Sequence, residues 1–90
     1  MSMPDQDQKF RYSKELVDFS RVIPHLKLGG AAKRQGWNGQ NQHINLQVPD
    51  AHSKMGLPYI YISTEQKQLC PWTASQTDLL AEDWVLLAPY

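Results

Sequence analysis

Residues 59–72 read YIYISTEQKQLCPW, and this stretch decides the fold. Tyr59 to Ile62 alternates aromatic and β-branched residues, a composition typical of a β-strand. The polar run Glu65 to Gln68 predicts a hairpin turn, and Leu69 to Trp72 predicts the returning strand. Because a short turn joins antiparallel neighbours, the stretch predicts an antiparallel sheet.

Further strands are predicted on both sides of this hairpin. Ala31 to Arg34 and the alternating sequence His43 to Val48 precede it, and Trp84 to Leu87 follows it. Between the first two strands, Asn38 and Gly39 predict a tight turn because both residues tolerate a positive φ. All of these strands fit into one antiparallel sheet.

A helix is predicted before the first strand. Ser20 can cap it, Gly29 and Gly30 end it, and Pro24 fits only in its first turn. Its apolar residues at helical spacing are Val22, Ile23 and Leu26. The segment Tyr12 to Asp18 has similar spacing, which leaves open an earlier start with a break near Ser20.

A second, short helix is predicted before the last strand, because Ser75 and Asp78 have the spacing of a capping box. The predicted fold class is therefore α+β: a small single domain with one or two N-terminal helices packed on an antiparallel β-sheet and a short helix before the last strand. Residues 1–11 are polar and predict an N-terminal arm, which leaves residues 12–90 as the domain.

Composition excludes several classes of function. The chain has 90 residues, and its nine Lys and Arg balance nine Asp and Glu. Nucleic-acid-binding domains normally have a basic excess, and no apolar run here approaches the roughly 20 residues of a membrane span. The first residues, MSMPDQDQKFRYSK, lack the apolar core of a secretory signal. We therefore expect a cytoplasmic protein that binds neither nucleic acid nor membrane.

The length of the chain limits the kind of pocket that it can form. A domain of this size buries only about 60–65% of the surface of its unfolded chain. A ligand of nucleotide size, however, needs a pocket of roughly 300–1,000 Å³. Hollowing such a pocket out of one small core would remove much of what stabilises it, so we expect more than one copy of the chain to build the site.

The common catalytic and metal sites are not indicated. There is no G-x-S-x-G motif, and Cys70 lies within an apolar strand, where we expect it to be buried and structural. The three histidines are eighteen and nine residues apart, too dispersed to predict a zinc site. Glu82 and Asp83 are adjacent, so their side chains diverge. We predict no metal, no cofactor and no enzymatic activity.

Two segments that contain tryptophan carry the candidate binding residues. In RQGWNG (residues 34–39), Trp37 could stack on a base, a contact of roughly 1–3 kcal/mol, and Asn38 offers a donor and an acceptor. The alternative is that Trp37 closes the end of the core. In PWTASQTD (residues 71–78), a helix N-terminus could bind phosphate. An ordinary capping box would explain Ser75 and Asp78 but not the two residues between them.

At these segments the sequence resembles a family of small phage proteins that counter the bacterial Thoeris defence, the second type of Thoeris anti-defence protein. The resemblance covers most of residues 19–84. It rests on the block from residue 19 that ends in RQGWNG, and on VPDAHSKMGL, PYIYI and PWTASQTDLLAEDW. The last of these is the most specific, because fourteen residues with two tryptophans in a fixed polar order rarely recur by chance.

The resemblance implies a binding protein rather than an enzyme. Family members act as sponges that capture a cyclic ADP-ribose isomer made by a TIR-domain sensor, and they assemble as homo-oligomers, reportedly tetramers, with the signal between subunits. Some members also bind cyclic dinucleotides at separate sites. Carried over to this chain, Trp37 would stack on the adenine, Asn38 would bond to polar atoms, and Arg34 would contact phosphate. The residues that would contact ribose or pyrophosphate are Ser75, Gln76, Thr77 and Asp78.

A second hypothesis is a structural or interaction module whose tryptophans only build an oligomer core, with no small ligand. Trp72 and Trp84 are assigned mostly to core or interface packing under both hypotheses. An enzyme that acts on nucleotides is a third and weaker alternative, since acid, base and metal residues are missing from the pattern.

Overall fold

The computed structural model describes residues 15–88. Its elements in chain order are a 3₁₀ turn (Phe19–Arg21), α1 (Val22–Lys27), β1 (Ala31–Arg34), β2 (His43–Gln47), β3 (Tyr59–Ser63), β4 (Leu69–Pro71), α2 (Gln76–Leu80) and β5 (Trp84–Leu87). Each predicted strand is present with its ends within one residue of the prediction, and both predicted helices are present. The α+β fold class is confirmed. The predicted arm, residues 1–11, lies outside the described residues, as does Tyr12.

One antiparallel sheet of five strands has the order β4–β3–β2–β1–β5. The last strand returns to the first, so that Arg34 pairs with Trp84 at one end and Ala31 with Leu87 at the other. His43, the first residue of β2, pairs with Ser63, the last residue of β3. The β1–β2 loop, the β3–β4 turn and the start of β5 therefore lie at the same end of the sheet.

The core lies between α1 and one face of the sheet. Its fully buried side chains are Val22, Leu26, Ala32, Ile44 and Trp84. Because side chains alternate along a strand, the neighbours of the core residues point to the opposite face. On that face Tyr59 and Leu69 are 36% and 67% exposed, so the outer strands present apolar side chains to the surface.

The two ends of α1 are formed differently. At its C-terminus Gly29, with φ +96°, donates to the carbonyl of Leu26, and Gly30 donates to that of His25; these paired bonds end the helix as predicted. Pro24 is the third residue of α1 and lies in its first turn, also as predicted.

The predicted cap Ser20 is wrong. It lies inside the 3₁₀ turn, where its amide and hydroxyl both donate to the carboxylate of Asp18. This carboxylate accepts two local donors at once and fixes an earlier turn, so α1 starts from Arg21 without a side-chain cap. A helical start before Ser20 is also wrong for residues 15–18, because Val17 instead pairs with the backbone of Trp84.

Two other local expectations are corrected. Asn38 and Gly39 do not form a two-residue turn: residues 35–42 connect β1 to β2, and of this pair only Gly39 has a positive φ, +81°. Cys70 is exposed rather than buried. It pairs with Ile62 on the edge strand β4, beyond the part of the sheet that α1 covers.

Candidate functional site

The start of α2 is a complete capping box. The Ser75 hydroxyl accepts from the Asp78 amide at 3.1 Å, and the Asp78 carboxylate accepts from the Ser75 amide at 3.1 Å. The sequence pattern predicted this pair correctly. Gln76 and Thr77 between them are exposed, and within residues 15–88 neither side chain has a hydrogen-bond partner. Their polar groups are free to contact a ligand.

Asp78 joins α2 to the β1–β2 loop. The residue is only 9% exposed, and its Oδ1 accepts from Arg34 Nη1 at 3.1 Å and from Trp37 Nε1 at 3.4 Å. Its backbone carbonyl accepts from the Trp84 indole at 2.9 Å. Burial alone would raise the pKa of Asp78, but the hydrogen bonds from Ser75, Arg34 and Trp37 outweigh it and lower the pKa below its ordinary value. The carboxylate therefore stays ionised and holds three segments together.

Arg34 is shared between two carboxylates. Besides Asp78, its Nε donates to Asp83 Oδ1 at 2.8 Å, and Asp83 Oδ2 accepts from the Gly36 amide at 2.8 Å. Burial would raise the pKa of Asp83, and its bonds to Arg34 and Gly36 lower it. One guanidinium faces two carboxylates, so this network carries a net negative charge. A phosphate contact by Arg34 stays a prediction. A phosphate would have to compete for this guanidinium with the carboxylates of Asp78 and Asp83, which already bind it.

Trp37 belongs to a cluster of aromatic rings. It is half-buried and packs edge-on against Trp84, with centroids 5.4 Å apart, and against Trp72, at 6.4 Å. Trp84 is fully buried, and Phe19 completes the cluster at 5.3 Å from it. The assignment of Trp72 and Trp84 to packing is confirmed. Trp37 also packs on the core, so any stacking on a base uses only the part of its ring that remains exposed.

Asn38 follows Trp37 on the same loop and is exposed. Its backbone carbonyl accepts from the Gln42 side chain at 2.5 Å, and the Trp37 carbonyl accepts from Gln40 at 2.8 Å. The Asn38 carboxamide itself has no partner in the part of the chain that the structure describes. The loop is thus braced from within, and Asn38 is left with a free donor and a free acceptor.

The structure brings most of the predicted residues together. Arg34, Trp37, Ser75 and Asp78 form one hydrogen-bonded network, and Asn38, Gln76 and Thr77 are exposed next to its members along the chain. Asp83 is a member that the sequence did not indicate. The pairing of β5 with β1 brings Asp83 to Arg34, and no pattern in the neighbouring residues predicts that long-range register.

Other features of the described residues bear on chemistry. No group of three His, Cys, Asp or Glu within residues 15–88 could hold a metal ion. In the same range, none of the helices has the length and apolar character to cross a membrane. Two clefts of about 460 Å³ are present, and neither is lined by Trp37, Asn38 or α2. The predicted binding residues thus form a surface outside both of these clefts.

Comparison with known proteins adds a family. A model of the Thoeris anti-defense 2-like domain matches residues 17–87. The protein named Thoeris anti-defense 2 from Bacillus phage SP01 is 33% identical over 88 residues, which cover 83% of this chain and 99% of the phage protein. The matched range includes the whole sheet, both helices and the Arg34–Asp78 network.

Proposed function

The chain belongs to the Thoeris anti-defense 2-like family, and from that premise we propose that it counters Thoeris defence by binding and sequestering a nucleotide immune signal without cleaving it. The signal we propose is a cyclic ADP-ribose isomer of the glyco-cyclic type. The protein acts as a sponge in the cytoplasm of the infected bacterium, and the effector that the signal would activate stays inactive.

The observation that carries this proposal is the rigid surface built around Asp78. Asn38, Gln76 and Thr77 are exposed and unpaired within residues 15–88, while the loop and helix that present them are locked together by Arg34 and Asp78. Polar groups held in fixed positions bind with a smaller loss of conformational entropy than mobile ones. Slow release, which a sponge requires, follows from such preorganisation.

Charge supports one orientation of the ligand. Because the Asp78–Asp83 side of the surface is net negative, a diphosphate close to it would be repelled. We therefore place the adenine and ribose at Trp37, Asn38 and Thr77, where stacking and neutral hydrogen bonds are available. The diphosphate points away from the two carboxylates, and in this orientation the predicted phosphate contact of Arg34 is not made.

We further propose that the site is completed by a second copy of the chain in a homotetramer. The small core argues against a pocket within one chain, and exposed apolar side chains are available for self-association. Those of the outer strands and the β2–β3 loop include Met55, Leu57, Tyr59 and Leu69. Exposed apolar groups gathered in one region favour a protein interface.

The test of sequestration is recovery of intact signal. The protein is incubated with the cyclic ADP-ribose isomer, free ligand is removed, and the protein is denatured; the intact isomer should then appear in the supernatant. A hydrolysed product would refute sequestration in favour of catalysis. A parallel incubation with cyclic dinucleotides shows whether that ligand class is also captured.

The test of the site uses exposed residues, so that binding and folding separate. Asn38→Ala and Gln76→Ala should each weaken binding by about tenfold, the effect of losing one or two hydrogen bonds, with unchanged melting temperatures. Gln66→Ala, on the exposed β3–β4 turn, is the matched control and should bind as the wild type does. Unchanged affinity in both site variants would remove this surface from the proposal.

The competing hypothesis, an oligomeric interaction module without a small ligand, is favoured by the same exposed apolar residues. A ligand at 100 times its dissociation constant stabilises the folded state by about 2.7 kcal/mol. A clear rise in melting temperature with the isomer supports the sponge. No rise with the isomer or with any cyclic dinucleotide supports the module.

A further inference from the structure

A cleft of about 460 Å³ opens at the end of the sheet where the β1–β2 loop meets the β3–β4 turn. Two lysines, Lys33 and Lys67, line it together with the hydroxyl residues Ser63 and Thr64 and the carboxamides of residues 40–42. Lys33 follows Ala32 and precedes Arg34 on β1, so alternation points it to the face of the sheet opposite Arg34. The cleft and the Asp78 network are therefore separate.

The cleft has an excess of positive charge: two lysines line it, and one carboxylate, that of Glu65, lies against its wall through the bond to Asn41. No carboxylate is among its lining residues, and neither lysine forms an ion pair with any acidic residue in the described range 15–88. Lys33 Nζ instead donates to the backbone carbonyl of Gln40 at 3.0 Å. In a chain of zero net charge, two unpaired ammonium groups in one cleft create a local positive potential.

The walls of the cleft are tied together. Glu65, on the β3–β4 turn, accepts from the Asn41 amide at 2.6 Å and so joins the turn to the β1–β2 loop. Lys67 is held at φ +65°, the left-handed conformation that closes this turn. His43 Nδ1 lies 3.1 Å from the Asn41 carbonyl and must donate to it, since a carbonyl only accepts. The cleft is therefore shaped by the fold itself.

We propose that this cleft binds a phosphate or diphosphate group. Ammonium groups and hydroxyls are donors suited to phosphate oxygens. The carboxamide N–H groups of residues 40–42 shape the cleft instead, because they already donate to Trp37, Glu65 and Asn38. The one ring that lines the cleft is the imidazole of His43, which is held by its bond to the Asn41 carbonyl; no indole or phenyl ring is present there for a base to stack on. The cleft recognises the anion rather than the base. This site is independent of the proposed sponge surface, with which it shares no lining residue.

The probe is inorganic pyrophosphate, titrated at low salt into the isotope-labelled full chain and followed by amide chemical shifts. Saturable shifts should be confined to the lining and its immediate neighbours: Lys33, residues 40–43, residues 63–67 and Leu87. Lys33→Gln and Lys67→Gln should each weaken binding by roughly tenfold, the loss of a charged hydrogen bond. Lys54→Gln, an exposed lysine outside the cleft, is the matched control and should leave the affinity unchanged.

Two outcomes overturn the proposal. One is the absence of saturable shifts in the wild type, and the other is equal affinity in the wild type and the Lys33→Gln/Lys67→Gln double variant when its amide spectrum shows a folded protein. A second arm with ADP-ribose identifies the source of the anion. If the affinities for pyrophosphate and ADP-ribose agree within about threefold, the cleft binds free diphosphate. If ADP-ribose binds much more tightly than pyrophosphate, the cleft binds a diphosphate carried on a nucleotide. Failure of the isomer to bind at Trp37 would leave these results unaffected.

Discussion

Replacement of Asp78 by alanine tests whether one carboxylate holds the candidate surface together. Three donors lose their acceptor in Asp78→Ala: the Ser75 amide, the Arg34 guanidinium and the Trp37 indole. The lost cap of α2 costs about 1 kcal/mol. The charged bond to Arg34 adds roughly 1.5–3 kcal/mol.

The total stability lost in Asp78→Ala should stay below the largest losses seen when a buried ion pair is broken. Removing one partner of a buried pair usually costs about 3–5 kcal/mol because the other charge is left alone. Here Arg34 keeps its 2.8 Å bond to Asp83, so its charge remains compensated. We therefore expect a loss of about 3 kcal/mol, which lowers the melting temperature of a domain this size by roughly 12–24 °C.

The assay is thermal and urea denaturation followed by circular dichroism, with the near-ultraviolet signal reporting on the tryptophan cluster. Glu82→Ala, an exposed acid close in sequence, is the control and should change stability by no more than about 0.5 kcal/mol. If Asp78→Ala is as stable as that control, the network does not position Trp37 and does not make the surface rigid.

Trp37→Ala should destabilise the fold by about 2–4 kcal/mol, because the ring packs on Trp84. Trp37→Phe, which keeps a ring, should cause a much smaller loss of stability. An unchanged melting temperature in the alanine variant would show that the ring lies outside the core. Gly30→Ala should lower the free energy of unfolding by about 2 kcal/mol, because the added Cβ would lie 2.1 Å from His25 Nε2, which is bonded to the Leu87 carbonyl at 2.6 Å. Gly56→Ala, with open space around it, is the control and should leave the stability unchanged. Equal losses of stability in the two variants would contradict this packing. Stability should fall as the pH drops below 3.8, because the folded-state pKa values of Asp18, Asp78 and Asp83 are lowered from that value and protonation then favours the unfolded chain. The Asp78→Asn variant should show a shallower fall in its pH-dependent melting curve, and an identical curve would refute a contribution from Asp78.

Local sequence determines the elements here, and long-range pairing determines the site. The alternation in HINLQ, the polar turn at residues 65–68 and the Ser75–Asp78 spacing each involve neighbours in the chain, and all three predictions are confirmed. Ser20 shows the limit even at this range: its side chain is predicted to accept a hydrogen bond as a cap, but its amide and hydroxyl both donate to Asp18, which is the cap of the 3₁₀ turn.

The wrong prediction at Cys70 and the missing Asp83 have one cause. An apolar strand is buried only where another layer covers it, and strand order is decided by pairing between distant segments. Cys70 lies on the edge of the sheet, and Asp83 meets Arg34 because β5 returns to β1. Neither fact is contained in the residues around these positions.

Lys33 and Arg34 show how the neutral composition produces two chemically different surfaces. They are adjacent on β1, so the two-residue period of the strand sends them to opposite faces. Arg34 forms ion pairs with two carboxylates, so its charge is neutralised while it positions Trp37 and α2. Lys33 and Lys67 both line a cleft, neither forms an ion pair within the described residues, and the charge of Lys33 remains available to an anion. Net charge therefore understates what this chain can bind, because the sheet separates its cations by role. A shift of β1 by one residue would place Lys33 on the face that Arg34 now occupies and Arg34 on the face of Lys33, and it would abolish both surfaces together.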